Sequence, residues 1–586
     1  MLLDWLAGRD TDGTATGQLG PDHAWQAELF RQVRARIDTP SPAERLAPAC
    51  EALLADPTLV DLPDRLSVFG PTRLTPVTLA VLDALAAHRE VHLWLPHPSE
   101  GMWQRVAKTV PADVPTRLAD PTAQLPHHPL LRSLARDARE LQLRLAAHTS
   151  TDEHLPVLAR PHTLLATLQE DLAADRPPSP IQPAPADRSL QVHACHGRHR
   201  QVDVLREVVL GLLQDDPTLE LRDIIVMCPD IEAFAPLLGG AFSATSPGTT
   251  SADSEDTAPE DRTTLHPSHQ LTIRLADRSP RQVNPLLDVA ARLLELADSR
   301  LTASEVLDLA ALPPVRRRFA LDDDALDRLT TWARDSGIRF GLHAAGRAPW
   351  GLAAVPQNTW AAGLDRILLG VALDEDGLPM PGGVLPLDDV DSTDVDLAGR
   401  LAEYVTLLGD AVATLAGPQP LTAWTDALGC AVEALTALAP RDEWQFAHLR
   451  RLLARTVTDA GAHAPTTELR LTDVRALLGP ALEPRPSRTN FRTGHLTVCT
   501  MVPMRSVPHR VVILLGMDDG VFPRAARTEG DDILGRTPLV GERDARAEDR
   551  QLFLDAILAA RETLVILHTG ADERTGATRP PAVPVG

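Results

Sequence analysis

The sequence predicts an α/β protein whose parallel sheet is divided along the chain by a long helical insertion. Three observations predict this class. Short apolar runs alternate with helical patterns at 66–95 and 190–228, which is typical of β-α-β units and parallel strands. From about 284 to 478 apolar residues recur at three- and four-residue intervals, which indicates helices. Strand-like runs return after residue 495, so the α/β part resumes there.

The first β-α-β unit consists of strands at Leu66–Phe69 and Val91–Leu95, joined by a helix that runs through Val81–Ala87. Two short apolar strands connected by a helix indicate parallel pairing. Trp25–Ile37 has apolar residues at helical spacing and therefore predicts an amphipathic helix before this unit. His128–Ala147 predicts one long helix after it.

The second α/β unit follows a proline-rich segment, 176–189, which is typical of a linker. Its predicted order is strand, helix, strand, helix, at Leu190–Cys195, Arg198–Leu213, Leu221–Cys228 and Ile231–Phe242. The next segment, 243–264, is polar and acidic and has no apolar anchor residues. We therefore expect a disordered surface loop there.

The last part of the chain has α/β character again. Strands are predicted at Leu496–Thr500, Val511–Leu515 and Leu564–Leu567, with a helix at Arg546–Ala560 before the last of them. We assign a first domain to 1–175, a linker to 176–189, the two parts of a second α/β domain to 190–283 and 485–586, and a helical insertion domain to 284–484.

Length and composition fit a globular protein. The 586 residues predict three or four domains of about 100–200 residues, and the chain is 44% apolar and 23% charged. No apolar run approaches the roughly 18 residues of a membrane span, and the start lacks the features of a signal peptide. We expect a cytoplasmic protein that does not bind membranes. The five cysteines are odd in number and far apart, which argues against disulfides and a CxxC zinc site.

The net charge of −23 limits the ways in which the chain can bind nucleic acid. Proteins that coat nucleic acid are usually basic, because neutralising phosphates supplies most of the affinity. Any DNA contact must therefore lie in a local groove with an acidic exterior around it. The positive charge is almost all arginine, which suits bidentate phosphate contacts. A GC-rich coding bias explains the arginines equally well.

The sequence has no phosphate-binding loop of the form GxxxxGK[ST]. Gly70-Pro-Thr-Arg73 comes nearest and lacks the lysine. The run HACHGRH (193–199) has residue types that suit zinc. However, strand alternation separates His193 and Cys195 from His196, so we expect no metal. A strand end that meets a helix N-terminus here is instead a natural corner for a phosphate.

Other charged clusters have simpler explanations than chemistry. Asp322–Asp324 precedes a helical pattern, which favours an N-cap, and Asp374–Asp376 is typical of a turn. Arg316–Arg318 favours a C-capping or solvated cluster over a phosphate site. We find no catalytic triad and no carboxylate cluster typical of a nuclease, and predict no catalytic residue in this chain.

Several long runs resemble the RecC family, the gamma subunit of the RecBCD-type exodeoxyribonuclease V. The runs lie at Ser67–Trp103, His193–Phe242, Trp332–His343, Asn358–Gly370, Val498–Arg524 and Gly530–Leu567. The matches are ordered and spread over nearly all of the chain. The resemblance implies degenerate superfamily 1 helicase-like, RecA-type domains around a large helical insertion. It also implies that the chain is a fragment lacking both ends of the family's full length.

The run Val498–Arg524 is similar to the helicase motif T-x-H-x-x-K-G-x-E-F with its following strand and loop. Its polar centre has changed: Val502 stands at the histidine position, Pro503 follows it, Arg505 stands at the lysine, Ser506 at the glycine and Pro508 at the glutamate. The helix Arg546–Ala560 resembles the one that delivers an arginine finger, with Ala560 at the finger position. Arg561 lies one residue on, turned by about 100° on a helix. The resemblance therefore implies a retained scaffold without its ATPase chemistry.

By this resemblance the chain is a non-catalytic DNA-channel, scaffold and Chi-scanning subunit in double-strand break repair by homologous recombination. We assign DNA contacts to Arg198, Arg200, Thr500, Arg505, Ser506 and Arg524. The implied partners are RecB-like and RecD-like subunits in a heterotrimer, a duplex end and single-stranded DNA. We expect no cofactor in this chain, and ATP and Mg in the partner subunits.

Two alternatives remain open at this stage. The chain could belong to an active helicase or an AddB-like nuclease subunit whose catalytic centre lies in the missing termini. It could also be a helical interaction scaffold without DNA binding, which the net charge of −23 favours.

Overall fold

The computed structural model describes residues 1–14, 17–37, 39–109, 114–146, 148, 151–155, 162–243, 271, 273–276, 284–373, 381–482, 495–502, 504–525 and 530–586. The chain forms two compact units. The α/β unit comprises Met1–Asp277 and Arg488–Gly586, and the helical unit comprises Arg278–Ser487. No described helix has the length and apolar character needed to cross a membrane.

The first part of the α/β unit alternates helices and strands. Its helices are α1 (Leu2–Leu6), α2 (Ala24–Arg36), α3 (Pro42–Ala55), α4 (Pro76–Ala86), α5 (Glu100–Val106), α6 (Pro129–Leu134), α7 (Arg136–Leu145), α8 (Leu164–Ala174), α9 (Gly197–Asp215) and α10 (Ile231–Ser243). Its strands are β1 (Arg65–Phe69), β2 (Glu90–Trp94), β3 (Leu190–His196), β4 (Ile224–Met227) and β5 (Ile273–Leu275). Strands β1 and β2 pair in parallel, which confirms the predicted β-α-β unit.

The helical unit and the rest of the α/β unit follow in chain order. The helical unit contains α11 (Pro285–Leu296), α12 (Ala303–Ala310), α13 (Pro313–Arg318), α14 (Asp323–Asp335), α15 (Trp360–Gly370), α16 (Val395–Thr414), α17 (Leu421–Leu435), α18 (Trp444–Ala460) and α19 (Leu471–Leu482), and the short strands β6 (Gln419–Pro420) and β7 (Glu468–Leu469). The α/β unit resumes with β8 (Leu496–Cys499), β9 (His509–Leu515), α20 (Ile533–Arg536), α21 (Ala545–Ala559) and β10 (Ala560–Ala571).

Six parallel strands form the main sheet, in the order β3-β10-β9-β4-β8-β5. Strands from the end of the chain (β8, β9 and β10) lie between strands that precede the helical unit (β3, β4 and β5). Alternate side chains enter two cores: Ile225 and Val512 lie in one, and Val226 and Ile513 in the other. Burial on both faces is typical of parallel sheets and explains why these strands are continuously apolar. The predicted parallel α/β class is confirmed.

The helical unit is built around large aromatic side chains. Trp332, Trp360, Trp424 and Tyr404 are fully buried. Each donates a hydrogen bond to a backbone carbonyl, for example from Tyr404 Oη to Val306 O at 2.7 Å. Buried aromatic residues with a polar end usually find such partners. These bonds fix the orientation of the rings in the core.

The predicted long helix His128–Ala147 is wrong, because α6 and α7 are separate helices. The break is at Ala135, whose φ of −93° and ψ of 27° leave the helical region. Leu131 in α6 lies in the same core as Val512, and α7 contributes Leu143 to that core and Leu141 to a smaller cluster with Leu79.

Several predicted features fall outside the helices and strands. The proline-rich segment 176–189 contains neither, and the α/β unit includes both its sides, so the domain boundary there stays a prediction. Ser243 ends α10, while 244–264 and Asp374–Asp376 lie outside the described residues. The N-cap prediction is confirmed, since Asp322 Oδ1 accepts a hydrogen bond from Ala325 N at 2.8 Å.

The sheet core predicts a contrast between two valines. Val512→Ala is expected to lower the free energy of unfolding by about 2–3 kcal/mol, because Val512 is fully buried and its truncation leaves a cavity. Val192→Ala, in β3, removes the same atoms from a side chain that is 54% exposed, and should change stability by less than about 0.5 kcal/mol. Urea unfolding of both variants measures the difference. Equal losses would contradict the assignment of Val512 to the core.

Candidate nucleic-acid interface

The loop between β8 and β9 contains three of the six predicted DNA contacts, Thr500, Arg505 and Ser506. Thr500 directly follows β8 and is half-buried. Arg505 is half-buried and its guanidinium donates to Gly70 O at 3.1 Å and to Thr72 Oγ1 at 3.2 Å. The structure therefore brings Arg505 onto the turn that comes nearest to a phosphate loop in the sequence. The guanidinium holds this turn through protein oxygens.

Ser506 has a left-handed backbone conformation, with φ of 60°. Only a few per cent of residues other than glycine adopt positive φ. Ser506 stands where the similar helicase motif has glycine, which adopts this conformation without strain. The loop thus keeps the backbone shape that the glycine permits, although its side chains have changed.

A small cavity lies next to this loop. It has a volume of about 20 Å³, and its lining includes Thr72, His97, Gln551 and Asp555. Burial raises the pKa of Asp555 to about 6, against the opposing hydrogen bond from Gln551 and the positive charge of Arg505. Burial lowers the pKa of His97 to about 3. His97 is therefore neutral, and since Ser99 N donates to Nδ1 at 3.3 Å, its proton lies on Nε2.

Arg524 forms a bidentate ion pair with Asp549 on α21. Its Nη2 lies 2.7 Å from Oδ1 and its Nε 3.0 Å from the same atom, while its backbone N donates to Oδ2 at 2.7 Å. Asp549 is buried, and hydrogen bonding to it raises the pKa of Arg524. Sequence reasoning missed Asp549, although an acidic residue within an apolar helix pattern is a signal for a buried partner.

Arg198 and Arg200 lie in the first turn of α9, next to the carboxyl end of β3. The expected phosphate corner is occupied by the protein itself, because Glu573 Oε1 accepts a hydrogen bond from Arg198 N at 3.1 Å. The Arg198 guanidinium carbon lies 6.0 Å from the centre of the Phe234 ring. Arg200 is largely exposed and lies 3.7 Å from Asp203. Both arginine residues are exposed.

A wide cleft of about 720 Å³ opens at the same edge of the sheet. Its charged lining residues are Arg198, Asp518, Asp519, Asp572, Glu573, Arg574 and Arg579. Acidic and basic side chains alternate, and Arg579 pairs with Asp572 at 2.5 Å. Hydrogen bonds from backbone and side chains lower the pKa of Asp572 to about 2, so that this carboxylate remains charged. The cleft therefore has no uniform positive potential.

The end of the helix that was predicted to deliver an arginine finger differs from the sequence prediction. The helix ends at Ala559, and Ala560 begins β10, where it is fully buried and pairs with His509. Successive side chains of a strand point to opposite faces. Arg561 is therefore exposed, and the helical rotation of about 100° expected between the two residues is wrong.

The remaining altered motif positions are on the loop surface. Val502 is exposed and Pro508 is exposed just before β9, while Pro503 lies outside the described residues. In the part of the chain that the structure describes, no group of three His, Cys, Asp or Glu side chains is arranged to hold a metal ion. His193 Nε2 lies 3.3 Å from Gln191 Oε1, and Cys195 is buried.

The buried Asp555 predicts a pH-dependent stability. Because its folded pKa of about 6 exceeds the unfolded value near 4, stability is expected to fall as pH rises from about 4 to 6, by about 3 kcal/mol. Asp555→Asn should reduce the dependence by this amount and leave the part contributed by the buried Asp137, whose pKa burial raises to about 7, whereas Asp203→Asn on the surface should leave it unchanged. Urea unfolding at pH 4.5 and 7.5 measures the change. The same slope in wild type and Asp555→Asn would contradict the assignment.

Comparison with known proteins identifies the family. Residues 1–175 match the family model of the RecC N-terminal domain, and 283–486 match that of the RecBCD enzyme subunit RecC fourth domain. The chain is 51% identical over 587 residues to RecBCD enzyme subunit RecC of Mycobacterium tuberculosis strain H37Rv, covering 100% of this chain and 51% of that protein.

More distant relatives give the same result. Identity is 30% to the RecBCD enzyme subunit RecC of Escherichia coli strain K12, covering 99% of this chain and 54% of that protein. It is 27% to the Haemophilus influenzae protein of the same name, covering 98% and 52%. The chain spans about half the length of the curated relatives it matches. It belongs to the RecC family.

Proposed function

We propose that this chain is a non-catalytic DNA-channel, scaffold and Chi-scanning component of an ATP-dependent exodeoxyribonuclease V. The complex acts in the cytoplasm in double-strand break repair by homologous recombination. Its other members are RecB-like and RecD-like subunits, which bind ATP and Mg, and its substrates are a duplex end and the single strands made from it. The name of the relatives, RecBCD enzyme subunit RecC, supports this role.

The observation that supports the proposal is the loop between β8 and β9, whose backbone fits the similar helicase motif while its side chains differ from that motif. Ser506 retains the left-handed backbone of a glycine position. Ala560 is buried in a strand, and Arg505 donates to protein oxygens. Phosphoryl transfer depends on charged groups placed at the phosphates. A loop with this set of side chains supports a structural role next to DNA.

We infer that the α/β unit derives from degenerate RecA-type domains of superfamily 1 helicases. The parallel sheet with helices on both faces and the loops at its carboxyl edge support this descent. In open α/β sheets, ligands bind outside the carboxyl ends of the strands. Here Glu573 occupies the N-terminus of α9 at this edge, which supports the loss of an anionic ligand.

The loss of ATPase chemistry predicts that Arg561 is dispensable. Arg561→Ala in the assembled complex should leave the rate of ATP hydrolysis unchanged, because the residue is an exposed strand position. Steady-state ATPase with a saturating duplex end measures this. An arginine finger contributes about 10³–10⁵-fold to the rate, so a large fall would contradict the proposal. Arg455→Ala, a highly exposed arginine in the helical unit, is the matched control.

A role at the DNA predicts an effect of Arg200. Arg200→Ala in the complex should weaken binding to a forked duplex several-fold and reduce the slope of log affinity against log salt by about one. The variant leaves the fold intact, because the side chain is largely exposed. Fluorescence anisotropy at several salt concentrations measures both values, with Arg455→Ala as control. An unchanged slope would remove Arg200 from the interface. Arg505 and Arg524 test the interface less cleanly, since both have protein partners.

A further inference from the structure

A run of nine apolar residues lies on the surface of the helical unit. The run, Ala348–Pro356, reads APWGLAAVP, and every residue except the half-buried Leu352 is exposed. We call it the apolar loop. Trp350 and Val355 are each 39% exposed. Contiguous exposed apolar surface on a protein marks interaction sites more often than single exposed residues do.

A buried arginine fixes the backbone of the apolar loop. Arg347 is only 2% exposed. Its guanidinium donates to Val355 O at 3.3 Å, Gln357 O at 2.7 Å, Asn358 O at 2.7 Å and, through Nε, Phe340 O at 3.0 Å. The guanidinium carbon also lies 4.2 Å from the centre of the Phe340 ring. One side chain therefore joins both ends of the loop.

Close packing around Arg347 shows that this arrangement is specific. Gly341 has a φ of 76°, and a Cβ there would come within 2.9 Å of Arg347 Nε. Burial lowers the pKa of Arg347, and among the described residues no carboxylate pairs with it. A buried charge is costly unless fully hydrogen-bonded. The hydrogen bonds of the buried Arg347 guanidinium hold the loop in one conformation. A surface that is already ordered loses less conformational entropy when it binds a partner.

The surroundings of the apolar loop are positive in an otherwise acidic chain. The sequence has no Asp or Glu between Asp335 and Asp365, although 80 of its 586 residues are acidic. The guanidinium carbon of Arg300 lies 5.7 Å from the centre of the Trp350 ring. Arg300 and Arg339 are exposed and form no ion pair with any described residue. A partner surface that carries carboxylates would complement these charges.

The composition favours a protein partner over other occupants. Tryptophan and arginine are enriched in the energetic centres of protein interfaces. A DNA site of useful affinity needs several phosphate contacts, and the apolar loop itself has no polar side chain. Symmetric pairing of two copies of this chain through the loop would bring the arginines at positions 300 and 339 towards like charges. These observations point to a different polypeptide.

We propose that the apolar loop is a docking site for a partner protein chain. Trp350 inserts into an apolar pocket of the partner, and Arg300 and Arg339 face carboxylates at its rim. Arg347 is a positioning residue that holds the loop. The partner chains used in the test, the RecB-like and RecD-like subunits, come from the proposed function, whereas the site itself depends only on the geometry and charge described here.

The test measures assembly of the full chain with purified RecB-like and RecD-like subunits. Trp350→Glu should weaken assembly at least about tenfold, and Trp350→Ala somewhat less, because a central tryptophan is lost. Trp444→Ala is the matched control: Trp444 is 45% exposed in the same unit and stacks on His448. It should assemble like wild type. Biolayer interferometry with immobilised chain gives the affinities.

A second variant tests the positioning role. Arg347→Gln should weaken assembly and speed amide hydrogen exchange in 348–358, with unchanged exchange in the buried helix α11. Exchange in 348–356 should also slow when the partner binds wild-type chain. Wild-type assembly of Trp350→Glu would overturn the proposal. So would an effect of Trp350→Glu on forked-duplex binding by the isolated chain, or on self-association, without an effect on assembly.

These results separate the docking site from the proposed function. If Arg200→Ala leaves DNA binding unchanged but Trp350→Glu impairs assembly, the DNA role at that position fails and the docking site stands. If the reverse is found, the docking site fails alone.

Discussion

The pairing of β4 with β9 is the constraint on which the α/β unit depends. Ile225 and Val512 are register partners although 287 positions separate them in the sequence, and both are buried. Because β9 lies between β4 and β10, the sheet has no continuous core until the end of the chain joins its middle. Folding of this unit therefore requires closing a loop that contains the whole helical unit, an entropy cost that grows only slowly with loop length.

At the carboxyl edge of the same sheet, polar side chains form hydrogen bonds with one another and with the backbone. Gln201, fully buried on α9, accepts a hydrogen bond from Gly516 N at 3.0 Å and donates to Thr569 Oγ1 at 2.9 Å. Asp518 Oδ1 accepts from Thr569 N at 2.6 Å. In a fold of this kind the edge is where a ligand would bind. Here these polar groups bind one another and join neighbouring elements at the edge.

Sequence periodicity predicted the elements well, because it is a local property of the chain. The position of β9 within the sheet could not be predicted, since it depends on long-range packing. The break at Ala135 was missed because apolar residues continue across it, while the backbone at Ala135 leaves the helical region. The predicted helix end at Ala560 is one residue too late, because the helix ends at Ala559 and Ala560 begins a strand. The side chains of Ala560 and Arg561 are therefore related as neighbours in a strand, not in a helix. Helix ends are the least certain part of any sequence assignment.

The candidate site was harder to predict because charge in the sequence does not show where charge is free. Arg510 bridges Asp216 and Glu562, and Arg117 pairs with the buried Glu140 at 2.9 Å. In such pairs the carboxylates neutralise the charge of the arginines, so a chain rich in arginine need not have a basic surface.

An arginine without an acidic partner among the described residues, such as Arg300 beside Trp350, keeps its charge available to a partner. Only the structure separates such arginines from the rest. Arg347 is buried and has no carboxylate partner among the described residues. Its guanidinium instead donates hydrogen bonds to backbone carbonyls and so fixes the backbone. A surface fixed at that cost supports a binding role, because an ordinary solvent-exposed loop needs no such restraint.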